Sequence, residues 1–113
     1  MTDLVDTFAA LGEPTRLRVV AHLQAGPRRA GELAEALEIT PPALSRHLRV
    51  LRTCGLVEEQ RGGDDARVRV YRLRREPLQQ LRGWLDDVEA FWAGELASFK
   101  AHAERTRGKQ RQR

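Results

Sequence analysis

The stretch from Ala30 to Gly55 leaves this chain little freedom. Residues 30 to 37 read as one short helix that packs Leu33, Ala34 and Leu37, with Glu38 and Ile39 as a tight connection. The next helix has a clear start, because Thr40 is a preferred N-cap and Pro41 suits a first helical position whose N–H has no partner in any case. Leu44, Leu48 and Leu51 follow at i, i+4 and i+7 until Cys54 and Gly55 end the run. Two short helices joined by a tight turn make a helix-turn-helix, so the flanking segments have to complete its core.

Those segments read as follows. Leu4, Val5, Phe8 and Leu11 recur at helical spacing behind Thr2 and Asp3, and Gly12 stops the pattern. Pro14 opens a second helix, in which Leu17, Val20, Ala21 and Leu23 line one face until Gly26 and Pro27. After Gly55, Leu56 to Arg61 and Arg67 to Leu73 are strand-like runs separated by a loop rich in Gly and Asp, a length that suits a hairpin. Val68 and Val70 share one face while Tyr71 and Leu73 share the other, which points to a bulge or a twisted edge. Glu76 and Pro77 open a long last helix, where Leu78, Leu81, Leu85, Val88, Trp92, Leu96 and Phe99 keep a spacing of 3 or 4 and Trp84 and Phe91 widen the stripe. The expected fold is mainly α with a small β-hairpin, a winged helix-turn-helix with a long C-terminal dimerisation helix. The domain is expected over 1–103, with 104–113 a basic, flexible tail that lacks apolar residues.

A chain of 113 residues has room for one domain. Its apolar runs fall well short of the roughly 20 residues needed to cross a bilayer, and its start does not resemble a signal peptide, so a cytoplasmic protein is expected. One cysteine, Cys54, excludes an intramolecular disulfide and any paired-cysteine metal or redox motif. The simplest reading of Cys54 is a small core residue. Catalysis finds no equipment: Ser45 and Ser98 lack a spaced His/Asp pair, and there is no glycine-rich phosphate loop, so an enzyme is not expected.

The net charge of +4 is uneven. Residues 100–113 hold six Lys or Arg against one acid, while residues 40–75 hold nine arginines against Glu58, Glu59, Asp64 and Asp65, a local +5. Clustering of this kind is what the electrostatic footprint of a nucleic-acid partner requires, and on charge alone a merely solvated basic surface is an equal reading. On a helical wheel Leu44, Leu48 and Leu51 face inward, and Pro42, Ser45, Arg46, Arg49 and Thr53 lie on the opposite arc. A helix of this kind fits the DNA major groove, with its N-terminal residues at base edges and its free N–H groups and dipole suited to phosphate, which places Thr40, Pro41 and Pro42 near the backbone, and Ala43 joins the candidate DNA contacts. Arg46 is the candidate base reader, because bidentate Arg to guanine is the commonest specific contact and the helix has no Asn or Gln. His47 lies about 60° from the leucine stripe, so partial burial and phosphate contact are both open. Arg61, Arg67 and Arg69 are the candidate wing contacts, with the carboxylates of Asp64 and Asp65 turned away from phosphate.

The segments Leu11-Gly12-Glu13-Pro14-Thr15-Arg16-Leu17-Arg18, Gly31-Glu32-Leu33-Ala34, Ala43-Leu44-Ser45-Arg46-His47-Leu48-Arg49-Val50-Leu51 and Gly55-Leu56-Val57 together resemble ArsR-type (arsenic repressor-like) winged-helix transcriptional regulators, over residues 4 to about 75. The resemblance implies a dimeric repressor of double-stranded DNA that binds an inverted repeat. It also implies a dimer interface made by the first and last helices, here Leu4, Val5 and Phe8 with Trp84, Leu85, Val88, Phe91, Trp92, Leu96 and Phe99. The stripe on the last helix points the same way, because a small core cannot cover so many aromatics.

Many members of that family sense metals, and here the sequence departs from them. Where the family's thiolate pair would stand, this chain has Arg28, Arg29 and Ala30. The nearest approach to its C-terminal zinc site is Asp87-x-Glu89 with His102-x-Glu104, which has the wrong ligand in one pair and the wrong spacing in the other. Residues at i and i+2 on a helix diverge by 200°, so one ion cannot easily take both. No regulatory metal and no cofactor are expected, and His22 reads as a surface or semi-buried histidine. Glu38 stands where the family often has glycine in the turn, so a positive φ there would be strained by about 1 to 2 kcal/mol. The competing readings are a winged-helix module that binds protein, and a metal- or redox-responsive repressor with a site of another kind. The effector, whether a small molecule or a protein, is not specified by any motif.

Overall fold

Asp3 starts the first helix, its Oδ1 accepting the N–H of Asp6 at 2.9 Å, and α1 runs over Leu4–Leu11. In the computed structural model, which describes residues 3–62 and 65–111, seven further elements follow. They are α2 (Pro14–Leu23), β1 (Arg28–Arg29), α3 (Ala30–Leu37), α4 (Pro41–Thr53), β2 (Val57–Gly62), β3 (Asp65–Leu73) and α5 (Arg75–Arg111). This is the expected winged helix-turn-helix, mainly helical with a small antiparallel sheet and a long last helix. Thr2 and Asp64, which entered the reading of the first helix and of the hairpin tip, lie outside the described residues.

The corner between α1 and α2 is built by two side chains. Glu13 caps α2 by accepting the N–H of Arg16 at 2.8 Å, and Pro14 takes the first helical position. Arg16 then reaches back, its Nε–H donating to Ala10 O at 2.7 Å and its Nη2 to Ala9 O at 3.4 Å. A guanidinium on the last carbonyls of a helix satisfies orphan acceptors and suits the negative end of the dipole.

The core lies among α2, α3, α4 and the base of the sheet. Val19, Val20 and Leu23, Leu33, Ala34 and Leu37, Leu44, Leu48 and Leu51, then Cys54, Leu56, Val57 and Tyr71 are all buried. Two stripes differ from the expected ones. In α2 the buried face is Val19, Val20 and Leu23, whereas Leu17 is 53% exposed and Ala21 is exposed too. Those three large residues fit within an arc of about 100°, and a face drawn through Leu17 and Ala21 leaves Val19 wet. In α1 the inward residues are Thr7 and Ala10, with Val5 73% exposed. Thr7 is tolerated inside because its hydroxyl donates to Asp3 O at 3.4 Å.

The turn between α3 and α4 closes with Glu38 in the left-handed region, at φ 56° and ψ 44°. Ile39 N–H donates to Ala34 O at 3.1 Å and Glu38 N–H to Glu35 O at 3.2 Å, the paired bonds of a Schellman ending. Among the described residues Glu38 is the one non-glycine with positive φ.

The sheet order is β1-β3-β2. The ladder between β2 and β3 is regular from Val57↔Leu73 to Arg61↔Arg69, and the irregularity falls between Arg61 and Gly62. Val68/Val70 and Tyr71/Leu73 are thus the two faces of one continuous strand, and the bulge belongs at the tip. β1 was not expected; its two residues pair antiparallel with β3, Arg28↔Tyr71 and Arg29↔Val70. Two residues are too few to show an alternation.

The chain divides into two compact units, residues 1–81 and residues 82–113. In the first, α5 begins with Pro77 buried and Leu78 packed on the core. The second is the remainder of α5, which stays helical to Arg111, through residues whose composition suggested a fraying tail. Ala101, Ala103, Glu104 and Arg105 are good helix formers, and no proline interrupts them. Among the described residues no helix is long and apolar enough to cross a membrane.

Candidate nucleic-acid interface

Leucines at 44, 48 and 51, each no more than 2% exposed, fix which way α4 faces. Ser45, Arg46, Arg49 and Thr53 are consequently exposed, Pro42 is exposed in the first turn, and Ala43 is half-buried. The Arg46 and Arg49 side chains have no ion pair or hydrogen bond among the described residues. Among the described residues nothing has to be displaced for either guanidinium to meet a base edge or a phosphate.

The N-terminus of α4 differs from the expected one. Thr40 Oγ1 accepts the N–H of Ala43 at 3.3 Å, and Thr40 O accepts the N–H of Leu44 at 3.0 Å. Pro41 and Pro42 have no N–H at all. The first turn therefore offers no free amide to a phosphate, and attraction there is left to the dipole, the Thr40 hydroxyl and the arginines. The prolines were legible as capping residues, but their missing donors tell against the amide contact.

His47 is half-buried, with Nδ1 3.6 Å from Glu13 Oε2, and so sits between the recognition arc and the first turn of α2. The N–H of Arg16 donating to Glu13 holds that carboxyl below its ordinary range, opposed by burial and helped by the N–H of Thr15, His47 and the Arg16 charge. Cys54 is buried, its thiol donating to Leu51 O at 3.4 Å, which matches a core residue.

The wing is not an evenly free set of cations. Arg61, Arg67 and Arg69 are exposed. Arg69 Nε lies 3.5 Å from Glu59 Oε1, so this candidate contact is already engaged. The other oxygen of Glu59 takes Arg52 Nη1 at 3.0 Å. Glu58 holds Arg72 and, at 3.8 Å, Arg74, which also lies 3.6 Å from Glu76. Glu58 and Glu59 thus engage at least four of the nine arginines in residues 40–75. Sequence reading missed Glu59, Arg52, Glu13 and Arg16, because each acts through a partner that only the strand register or the helix corner brings near.

Of the residues expected at a dimer seam, Leu4 and Val88 are half-buried, while Val5, Phe8, Trp84, Leu85, Phe91, Trp92, Leu96 and Phe99 are exposed in the single chain. Phe91 and Trp92 meet edge to face, ring centroids 6.2 Å apart. Among the described residues no group of three His, Cys, Asp or Glu comes together as a metal site.

The family described as "Bacterial regulatory protein, arsR family" matches residues 13–59, the corner, the helix-turn-helix and the start of the wing. The HTH-type transcriptional regulator Rv2034 of Mycobacterium tuberculosis is 39% identical over 92 residues, 81% of this chain and 80% of that protein. The transcriptional repressor SdpR of Bacillus subtilis is 30% identical over 80 residues, 71% and 86% of the two chains. Among solved structures, an ArsR-like transcriptional regulator from Rhodococcus sp. RHA1 superposes with a TM-score of 0.73 at 33% identity, covering 86% of this chain and 89% of that one.

Proposed function

The chain belongs to the ArsR family of bacterial regulatory proteins, which are DNA-binding transcription regulators and not enzymes, and from that we propose that it is a homodimeric repressor reading an inverted-repeat operator without a regulatory metal. The observation that carries the DNA-reading part is the outer arc of α4, where Arg46 and Arg49 stand exposed and unengaged while four other arginines are tied to carboxylates. In this reading Arg46 addresses a guanine edge in the major groove. Arg49, Ser45, Thr40, Pro42, Ala43 and His47 line the approach, and Arg61, Arg67 and Arg69 of the wing contribute mainly field.

The homodimer rests on apolar surface. Phe91, Trp92, Leu96 and Phe99 are each at least 60% exposed on α5, a stripe too large for a lone helix to leave in water. Two-fold symmetry then sets the half-site spacing at about one turn of DNA. Independence from metal rests on ligand chemistry. Arg28, Arg29 and Ala30 offer no thiolate, and Asp87 and Glu89 diverge around α5. The domain is proposed to span 1–103, with 104–113 adding non-specific phosphate attraction.

The test is a fluorescence anisotropy titration of the chelator-treated protein against the DNA upstream of its own gene and against a scrambled duplex. Binding to the upstream DNA at least about 10³ tighter than to the scrambled duplex is expected. Equal weak binding to both, made specific by adding Zn²⁺, would overturn the metal-free part. Equal weak binding that no metal improves would bring forward a protein partner.

A further inference from the structure

We propose that Glu59 is a clasp that withholds Arg52 and Arg69 from DNA phosphate, and so sets how much of the protein's affinity is independent of sequence. The proposal rests on the DNA-binding reading and goes beyond it to a residue that does not touch DNA.

The register places Glu59 on the helix side of the wing. It pairs with Tyr71, which is 4% exposed, and follows by two residues Val57, which is 2% exposed. Its side chain is 15% exposed, so the carboxylate stands at the margin of the core, where an ionised group has to be paired. One oxygen takes Arg52 from the last turn of α4 and the other takes Arg69 from β3. The three residues thereby tie the recognition helix to the wing through a single carboxylate.

The two arginines are about half-exposed, at 48% and 57%, and Arg52 lines an open depression with Arg49 and Thr53 of α4. Unclasped, they are ordinary phosphate binders. A phosphate that drew both away would leave the Glu59 carboxylate half-desolvated and unpaired, which opposes the exchange. Arg46 and Arg49 carry no such restraint. The division separates arginines held to position the wing from arginines free to read. It lowers the sequence-independent attraction that every duplex shares, which is the term specificity has to exceed.

The experiment compares the full chain with Glu59→Gln on a scrambled duplex and on the upstream duplex, each between 50 and 200 mM salt. Glu59→Gln keeps the shape and removes the charge that holds two cations. The salt slope on the scrambled duplex is expected to steepen by about 0.9 for each cation released, so the affinity lost between those salts grows by roughly tenfold when both are released. Preference for the upstream duplex is expected to fall. An unchanged slope with an unchanged preference would overturn the proposal. Arg69→Gln keeps Glu59 paired with Arg52 and covers the case in which Glu59→Gln does not fold. Its slope is expected to equal that of the unaltered chain, and a drop of about 0.9 would show Arg69 on phosphate already and overturn the clasp. Failure of the unaltered chain to bind either duplex would sink the DNA-binding reading itself, and the clasp with it.

Discussion

Replacing Glu38 by glycine is expected to stabilise the protein. Glu38 closes α3 at φ 56° and ψ 44°, a conformation that costs an L-residue roughly 1 to 2 kcal/mol. Glycine removes that strain but adds freedom to the unfolded chain, which offsets about 0.5 to 1 kcal/mol. The backbone gain that remains is about 0.5 to 1 kcal/mol. A second, smaller contribution comes from charge, because a carboxylate at the C-terminal end of a helix opposes the dipole by a few tenths of a kcal/mol at an exposed site like this one. Glu38→Ala separates the two, since it removes the carboxylate and leaves the strain. The expected order of stability is Gly, then Ala slightly above the unaltered chain, then Val below it, because β-branching is least tolerant of positive φ. Urea unfolding at fixed protein concentration reads this as a shift in midpoint at constant slope. For a domain of this size about 0.7 kcal/mol corresponds to roughly 3 to 6 °C in Tm. Glycine no more stable than alanine would refute the account, because it would mean that the turn stores no strain at this position.

Arg46→Ala should reduce affinity for the operator by about 1 to 3 kcal/mol and relax preference at one base pair, leaving the scrambled duplex nearly unaffected; equal losses on both duplexes would make Arg46 a phosphate contact. Trp92→Glu, placed in a stripe whose tryptophan is 60% exposed in the single chain, should give the monomer mass by light scattering, and a dimer mass would remove Trp92 from the seam. Glu13 has a folded-state pKa held down by the Arg16 N–H. Its contribution to stability is therefore full above the ordinary carboxylate value of 4.5 and is lost as pH falls below it towards the depressed one. Glu13→Gln should flatten that part of the acid limb in a urea series from pH 6 to pH 2.5, and superimposable limbs would contradict the cap.

Much of the fold was legible because α4 states its own boundaries. Thr40 and Pro41 begin it, three leucines orient it and Gly55 ends it, and each of those signals is local. The inward face of α2 was less legible. Leu17 and Val19 compete for the same core, and only the packed neighbours decide between them. The positive φ at Glu38 could be anticipated only through the family resemblance, in which glycine often fills that position of the turn. Glu59 could not be singled out, since its meaning depends on pairing with Tyr71 across a hairpin whose register the sequence leaves open. The recognition arc sits between these cases: periodicity puts Arg46 and Arg49 outside, but only the structure tells them apart from arginines that are already paired.

The two-residue strand β1 gives the wing a mechanical asymmetry. β3 is paired on both edges at Val70 and Tyr71, by β1 on one side and β2 on the other, whereas from Arg69 towards Asp65 its ladder partner is β2 alone. It is an arm clamped at its root. A load applied towards the tip bends the arm most at the clamp, which passes it on to the link between α2 and α3 where β1 lies. Added residues beyond Arg69 would lengthen the arm and leave its anchorage intact, so reach across a groove can change independently of the frame that aims the recognition helix.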